Sequence, residues 1–268
     1  MNSPNLKNKK LITNLNNKTK YIIHYRNLQQ AMQYGLELTK IHRVLSFNQS
    51  TWMKSYINLN NNMRMKASSA FEKDYFKLMN NAAYGKTMEN IDNRVDVKLI
   101  THWENIGKKR GAKYYISKPN FHSLSIFDEN FVDIQMKKLK TIYNKPIYLG
   151  FCVLELSKYH MYDFHYSVIK VKYQDNVKLL YTDTDSFIYE FIVNDIYEDM
   201  KQNISLFDTS NYSPNKPYCI PLQNKAILGK FKDEMNGKLI FEFVGLRSKM
   251  YSILTEESEE LRVLKNVL

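Results

Sequence analysis

The 268-residue chain has only two cysteines, Cys152 and Cys219, far apart and outside any CxxC spacing. That excludes a disulfide framework and a thiolate zinc site. No apolar run approaches the roughly 20 residues a membrane helix needs, and the polar start MNSPNLKNKK has no apolar core of a secretory signal. These absences point to an intracellular protein. Glycine is scarce, with 8 residues and no glycine-rich phosphate loop, and no segment repeats. One further absence concerns acids: no Asp precedes Asp74, and Glu37 and Glu72 are the only acidic side chains ahead of it.

What the chain has instead is positive charge and aromatic rings. Lys and Arg number 39 against 27 Asp and Glu, a formal +12. An excess of that size favours a polyanionic partner, nucleic acid ahead of a membrane surface, although a lysine- and asparagine-rich coding style gives the same total. The length suffices for one irregular domain or two lobes.

Periodicity outlines the elements. Residues 1 to about 20 read as a loose lead-in, Tyr21–Tyr25 as a short strand, Asn27–Leu38 as a helix and Ile41–Phe47 as a second strand. Trp52–Lys66 is helical. Ser69 with Glu72 three residues on is a capping box, opening a helix from Ala70 to about Asn90. On that helix Phe71, Tyr75, Leu78, Met79 and Ala82 form a core face, and Lys73, Lys77, Asn81 and Tyr84 line the opposite one, ending at Gly85. Such a row is also what an ordinary solvated face looks like.

Residues 94–145 are mostly β, with a hairpin turn at Asp128–Asn130 between two apolar strands. The lysine clusters of this stretch, such as Lys108-Lys109-Arg110, fit phosphate contacts or plain surface equally well. A helix of about 20 residues follows from Phe151 to Lys170. Its His160 and His165, with no Cys or acidic cluster nearby, read as packing or hydrogen-bonding residues rather than metal ligands. After a proline-marked loop at 207–221, Ala226–Lys232 and Leu239–Val244 read as a strand pair, and Glu256–Leu268 as a charged, helix-like tail.

The stretch richest in chemistry is Tyr181-Thr182-Asp183-Thr184-Asp185-Ser186, between the apolar runs Val177–Tyr181 and Phe187–Val193. β-rich runs flanking Asp, Thr and Ser predict a hairpin whose tip carries two carboxylates. Hard oxygen ligands of this kind suit Mg²⁺, which is held by one or two carboxylates together with substrate phosphates. The same acids could simply cap an exposed turn.

Three motifs in order resemble those of family B DNA polymerases: KLMNNAAYGK resembles the fingers motif KxxxNSxYG, YTDTDS the palm motif YxDTDS, and SKMY the KxY motif that follows. The wording FKLMNNAAYGKTMEN, GKFKDE and GLRSKMYS is most similar to the protein-primed branch found in Polinton/Maverick transposons, viruses and linear plasmids. The resemblance covers about residues 20–255. It implies an α+β fold: a partial palm with the acid-tipped hairpin and packed helices, helical fingers, and a β-rich insertion. The corresponding segments are a lead-in with the first palm strands at 1–49, fingers at 50–92, insertion at 93–145, palm and start of thumb at 146–255, and a truncated tail at 256–268.

The resemblance also implies roles. Asp183 and Asp185 are catalytic metal ligands for a Mg²⁺ pair, with Mn²⁺ as a substitute. Arg64, Lys73, Lys77, Asn81 and Tyr84 contact the incoming dNTP, and Gly85, Lys249 and Tyr251 contact DNA. The partners are a primer-template, dNTPs and a terminal priming protein, whose contact region in protein-primed members falls at the insertion.

Two departures stand out. Ala82 replaces the serine after the asparagine. The upstream motif DxxSLYPS, which supplies another metal-binding Asp, has no counterpart before Asp74, and Asp163-Phe164-His165-Tyr166 comes too late in the order to serve. The chain therefore reads as the C-terminal half of a polymerase core, inactive alone. The alternatives are a non-catalytic DNA- or nucleotide-binding remnant, and a DxD nucleotide-sugar transferase, which leaves the Lys77 row and Lys249/Tyr251 without a role.

Overall fold

The structure, a computed structural model, describes residues 14–213, 218–247, 249–255 and 262–265. In chain order the helices are α1 (Tyr25–Gln33), α2 (Lys54–Lys66), α3 (Ala70–Thr87), α4 (Ala112–Ile116), α5 (Ile147–Asp163), α6 (Lys170–Tyr173) and α7 (Ile196–Gln202). The strands are β1 (Val95–Ile100), β2 (Phe121–Asp128), β3 (Phe131–Lys137), β4 (Val177–Asp183), β5 (Ser186–Phe191), β6 (Ile240–Arg247), β7 (Met250–Thr255) and β8 (Arg262–Lys265). They form three small antiparallel sheets, ordered β1-β3-β2, β4-β5 and β6-β7-β8. The fold is mixed α and β.

Two compact units divide the chain. One comprises residues 52–154 and 197–237; the other comprises the described parts of 1–51, 155–196 and 238–268.

In the first unit, α3 starts as its sequence dictates. Ser69 Oγ accepts the Glu72 N–H at 3.1 Å, and the Glu72 carboxylate accepts the N–H of Ser69 in return. The helix is followed by a charge hub. Glu89 takes Arg94 in a two-pronged pair at 2.9 and 2.5 Å, and also Lys86 at 2.9 Å and Lys145 at 3.4 Å. Arg94 foremost holds this carboxyl well below the usual range. The hub ties the end of α3 to the start of β1.

The sheet β1-β3-β2 packs on α4 around Ala112, Val132, Ile134 and Met136, with Trp103 and Leu124 against them. β3 is central and nearly continuously buried on its apolar positions, while its partners are half-solvated, as expected of a middle strand in a sheet covered on one side. Gly111 has no room for a side chain, because a Cβ there would collide with the Glu104 backbone carbonyl. After α7, polar groups hold together the described parts of the loop, 203–213 and 218–237. Buried Thr209 bonds Pro221 and Gln223, and Asp233 accepts the Tyr212 hydroxyl and the N–H groups of Met235 and Gly237.

In the second unit, α1 docks on the later part of α5 through amides. Asn27 Nδ2 reaches Glu155 Oε2 at 2.8 Å and the Glu155 carbonyl at 2.9 Å, and Gln30 reaches the Tyr159 carbonyl at 3.2 Å. Burial penalises the Glu155 carboxylate, but bonds from Lys158, Asn27 and the His24 N–H outweigh it and lower the pKa.

Several expectations are corrected. Tyr21–Tyr25 and Ile41–Phe47 form no strand, because neither finds a ladder partner; Tyr25 opens α1, which His24 caps, and α1 stops at Gln33. Residues 226–232 are turns held by Asp208, which accepts the Ala226 N–H, and only Phe231 bridges to Phe207. In the tail, Arg262–Lys265 is strand β8 rather than helix, and 256–261 and 266–268 lie outside the described residues.

Candidate nucleotidyl-transfer site

The hairpin β4-β5 stands on an aromatic platform. Phe187, Tyr189 and Phe191 alternate along β5, so the period of two puts their rings on one face. Phe187 meets Phe164 at 6.4 Å between centroids, Tyr189 stacks on His165 at 5.7 Å, and Phe191 meets Tyr173 at 4.9 Å. Phe164 and His165 come from a π-helical turn, Phe164–Ile169, that continues α5; such turns occur mostly where a helix must re-aim side chains. Tyr189 Oη and His165 Nδ1 are 2.9 Å apart. Burial raises the Tyr189 pKa, and burial, then Lys170, lowers that of His165. Both groups are therefore neutral near pH 7, and the bond joins them without a buried charge. His165 is a packing residue, as its sequence context implied.

The tip departs from a regular ladder twice. A register jump between Leu179 and Tyr181 shifts β4, leaving Tyr181 and Asp183 half-buried on alternate positions; bulges next to functional sites commonly re-aim side chains in this way. At the end of the strand Thr184 adopts φ +49° while the Asp185 N–H turns back to the Asp183 carbonyl. A threonine in the left-handed region costs on the order of 1–3 kcal/mol. The turn leaves Asp185 exposed at the apex and Asp183, whose Oδ1 accepts from Thr184 Oγ1 at 3.2 Å, half-buried at its root.

The hairpin β6-β7 brings the second motif to the same place. Lys249 sits at its turn with φ +61°, and its N–H donates to the Tyr181 hydroxyl at 3.0 Å across 68 residues of sequence. Its ammonium lies 3.4 Å from Asp183 Oδ2. Tyr251 packs its ring on Tyr181 at 4.7 Å and on Phe243 at 5.8 Å. Burial chiefly, then Tyr181 and Asp183, raises the Tyr251 pKa. Asp183, Lys249 and Tyr251 thus form one cluster, with Asp185 at its rim. Tyr181, the joint between the tips, was visible in the sequence only as the first letter of its motif.

The remaining site residues lie in the first unit. Arg64 is exposed in the last turn of α2, and Lys73, Lys77 and Asn81 are exposed along α3, with Tyr84 half-buried beside them. Gly85 is open, with nothing within 4 Å of where a Cβ would stand.

The assignment of a core face to α3 is corrected. Phe71, Tyr75 and Leu78 are 78 %, 47 % and 62 % exposed, and Ala82 is exposed with them. The helix instead meets α2 through amides: buried Asn60 donates to Asn80 Oδ1 at 2.8 Å, Asn80 donates to Asn61 Oδ1 at 3.1 Å, and Tyr56 donates to the Met79 carbonyl. Polar side chains satisfying one another supply this contact face, which hydrophobic periodicity cannot detect.

The donor set fits a hard dication in part. Two carboxylates on one tip match the protein share of a Mg²⁺ site completed by phosphates. Among the described residues no group of three or more His, Cys, Asp and Glu side chains converges. No helix among the described residues is long and apolar enough to cross a membrane.

The chain belongs to the DNA polymerase type B family, organellar and viral, whose sequence profile matches residues 2–171. The matched span includes the Lys77–Gly85 row and ends ten residues before Tyr181. Comparison with curated proteins and with solved structures returns no match. By family the protein is a DNA-directed DNA polymerase, a family whose partners are a DNA primer-template and dNTPs.

Proposed function

We propose that the two clamped tips are the palm half of a two-metal nucleotidyl-transfer site and that α2-α3 is its fingers. The observation that carries this is the 3.4 Å approach of Lys249 to Asp183, which unites two motifs far apart in sequence. In the reaction a primer 3′-oxygen attacks the α-phosphorus of a dNTP, the bond to the β-phosphate oxygen breaks, pyrophosphate leaves, and the 3′-hydroxyl proton goes to solvent. Asp183 and Asp185 would hold Mg²⁺ or Mn²⁺, which when bound stabilises the charge building on these oxygens.

Lys77, with Lys73 and Arg64, meets the triphosphate as cations on an exposed face. Asn81 and Tyr84 shape the nucleotide pocket, and open Gly85 admits the DNA backbone. Lys249 and Tyr251 hold the primer end. Two metal ions about 3.5–4 Å apart need carboxylates on both sides. Residues 1–73 contain no Asp, so a segment outside these 268 residues supplies the missing ligand. The motif wording supports the protein-primed branch of mobile elements, with 93–145 as the region that meets the terminal protein.

Lys249 acts in this scheme as a cation already resting on a metal ligand. Exposed ion pairs are worth about 0.2–1 kcal/mol, so Lys249→Ala should tighten Mn²⁺ binding by roughly 1.4- to 5-fold while weakening binding of a primer-template. Electron paramagnetic resonance titration of Mn²⁺ reads the first effect and fluorescence anisotropy the second. Weaker Mn²⁺ binding in Lys249→Ala would remove the lysine from the ion's site.

A further inference from the structure

The basic end of the β1-β3-β2 sheet has no part in the site above, and its geometry is specific. Tyr114 on α4 carries two cations over its ring, Arg110 Cζ at 4.7 Å and Lys118 Nζ at 4.4 Å from the centroid. Both distances are within the range of cation–π attraction. The cations crowd the phenol enough to lower its pKa, Lys118 first and Arg110 after it.

The arrangement is held from behind. Gly107 at φ +58° closes a tight turn in which Ile106 and Lys109 exchange backbone hydrogen bonds. Gly111 abuts Glu104 and donates its N–H to Asn105 Oδ1 at 3.0 Å, which seats Arg110 beside α4. Asn120 and Lys137 exchange two bonds of 2.8 and 2.9 Å, bringing Lys137 and Lys138 beside the Lys118 turn.

Charge is segregated across this module. Asp96 is paired with Lys98 at 3.0 Å, and Glu104 is paired with Lys113. Among the described residues Lys108, Arg110, Lys118, Lys137 and Lys138 have no carboxylate in salt-bridge range. The remaining exposed acids, Asp128 and Glu129, lie at the other end of the β2-β3 hairpin, where Asp128 pairs with Phe131 while Phe121 pairs with Met136. At about 3.3 Å per residue the length of β2 separates the two ends by roughly 23 Å. That is beyond a Debye length of about 8 Å at physiological salt, so these acids do not neutralise Lys118, Lys137 and Lys138; Arg110 reaches the Tyr114 ring from the opposite side, where Ala112 bonds the His102 carbonyl and Trp103 Nε1 donates to the Glu129 carbonyl.

We infer that Arg110, Tyr114 and Lys118, with Lys137 and Lys138, form a second DNA-contacting surface that grips the phosphate backbone independently of sequence. The ring decides between modes of binding. A tyrosine that stacks on a base presents a free face, whereas Tyr114 already holds a guanidinium and an ammonium, so it fixes two cations in place for phosphate oxygens. Beside it lies an open cleft of about 420 Å³ that Lys98, Lys118 and Asn120 line together with Tyr115, Pro119, Met136 and Leu139, its Asp96 paired with Lys98. The inference takes DNA as the polyanion from the family assignment, but does not depend on the metal site.

The test is fluorescence anisotropy of the full chain on a labelled primer-template duplex at 50–200 mM KCl. Each phosphate contact contributes about 0.9 to the slope of log K against log salt. Arg110→Ala with Lys118→Ala should therefore lower the slope by about 1.8 and weaken binding about tenfold at 100 mM, with an unchanged melting temperature. Tyr114→Phe should bind like the parent, and Tyr114→Ala, which removes no charge, should lose part of the same affinity.

An unchanged slope in the double variant would overturn the inference. So would parental DNA binding by Tyr114→Ala. Loss of binding to a poly-aspartate peptide with DNA binding intact would overturn it in favour of an acidic protein. The salt slope is read without divalent metal or dNTP, so failure of the metal-site reading shows separately, in Mn²⁺ binding.

Discussion

Asp183→Asn and Asp185→Asn will each weaken Mn²⁺ binding to the chain, with dNTP present, by about 100-fold or more. Outer-shell partners of a metal already cost about 10- to 100-fold in affinity when removed, and loss of a direct anionic ligand costs at least as much. Asparagine keeps the size and one oxygen but removes the charge. The two variants should differ elsewhere. Asp185 is exposed at the apex, so its replacement leaves the melting temperature unchanged. Asp183 also carries Lys249 and the Thr184 hydroxyl, so its replacement loosens the joint between the tips and lowers the melting temperature slightly. Paramagnetic titration and thermal melts together resolve these effects. Mn²⁺ binding indifferent to both substitutions would place the ion elsewhere.

Ile134→Ala will destabilise the β1-β3-β2 module by about 3–4 kcal/mol, within the usual range of about 2–5 for a buried isoleucine cut to alanine. Ile134 is fully buried and sits mid-strand in the central strand, opposite Lys98 of β1 and Leu124 of β2. Two flanking ladders pin its backbone, so the space left by the lost atoms cannot close by collapse. Val97→Ala, on the same sheet but 47 % exposed, is the control and should change stability by no more than about 0.5 kcal/mol. Urea unfolding followed through Trp103, which packs against this core, reports the difference. Equal midpoints for the two variants would mean that the cluster around Ala112 and Met136 is not a load shared with Ile134.

Sequence reading located what local chemistry specifies. Ser69 and Glu72 are close enough to write their own capping box, the Asp128–Phe131 hairpin follows from turn residues between alternating strands, and YTDTDS carries its own turn. It failed where a partner distant in sequence decides. Ile41–Phe47 alternates correctly, yet without a ladder partner it stays irregular. Phe71, Tyr75 and Leu78 make the strongest apolar stripe on α3, but the helix spends its contact face on Asn80 and Met79, because Asn60 and Asn61 offer complementary amides. Within the site, the acids and Lys249 were legible as motifs. The bond from the Lys249 N–H to Tyr181 was not, since it joins positions 68 residues apart, and neither was the His165–Tyr189 pair beneath the hairpin.

The central claim is that the Asp183/Asp185 tip is one half of a two-metal site completed from outside these 268 residues. Primer extension tests it most directly, with the chain alone and with an added polypeptide carrying the family's DxxSLYPS motif, in Mg²⁺ and dNTPs. The account predicts no appreciable extension by the chain alone, and Mg²⁺-dependent extension on addition that Asp185→Asn abolishes. Robust extension by the chain alone, abolished by Asp185→Asn, would contradict the half-site; extension in the mixture that survives Asp185→Asn would contradict the role of the tip itself.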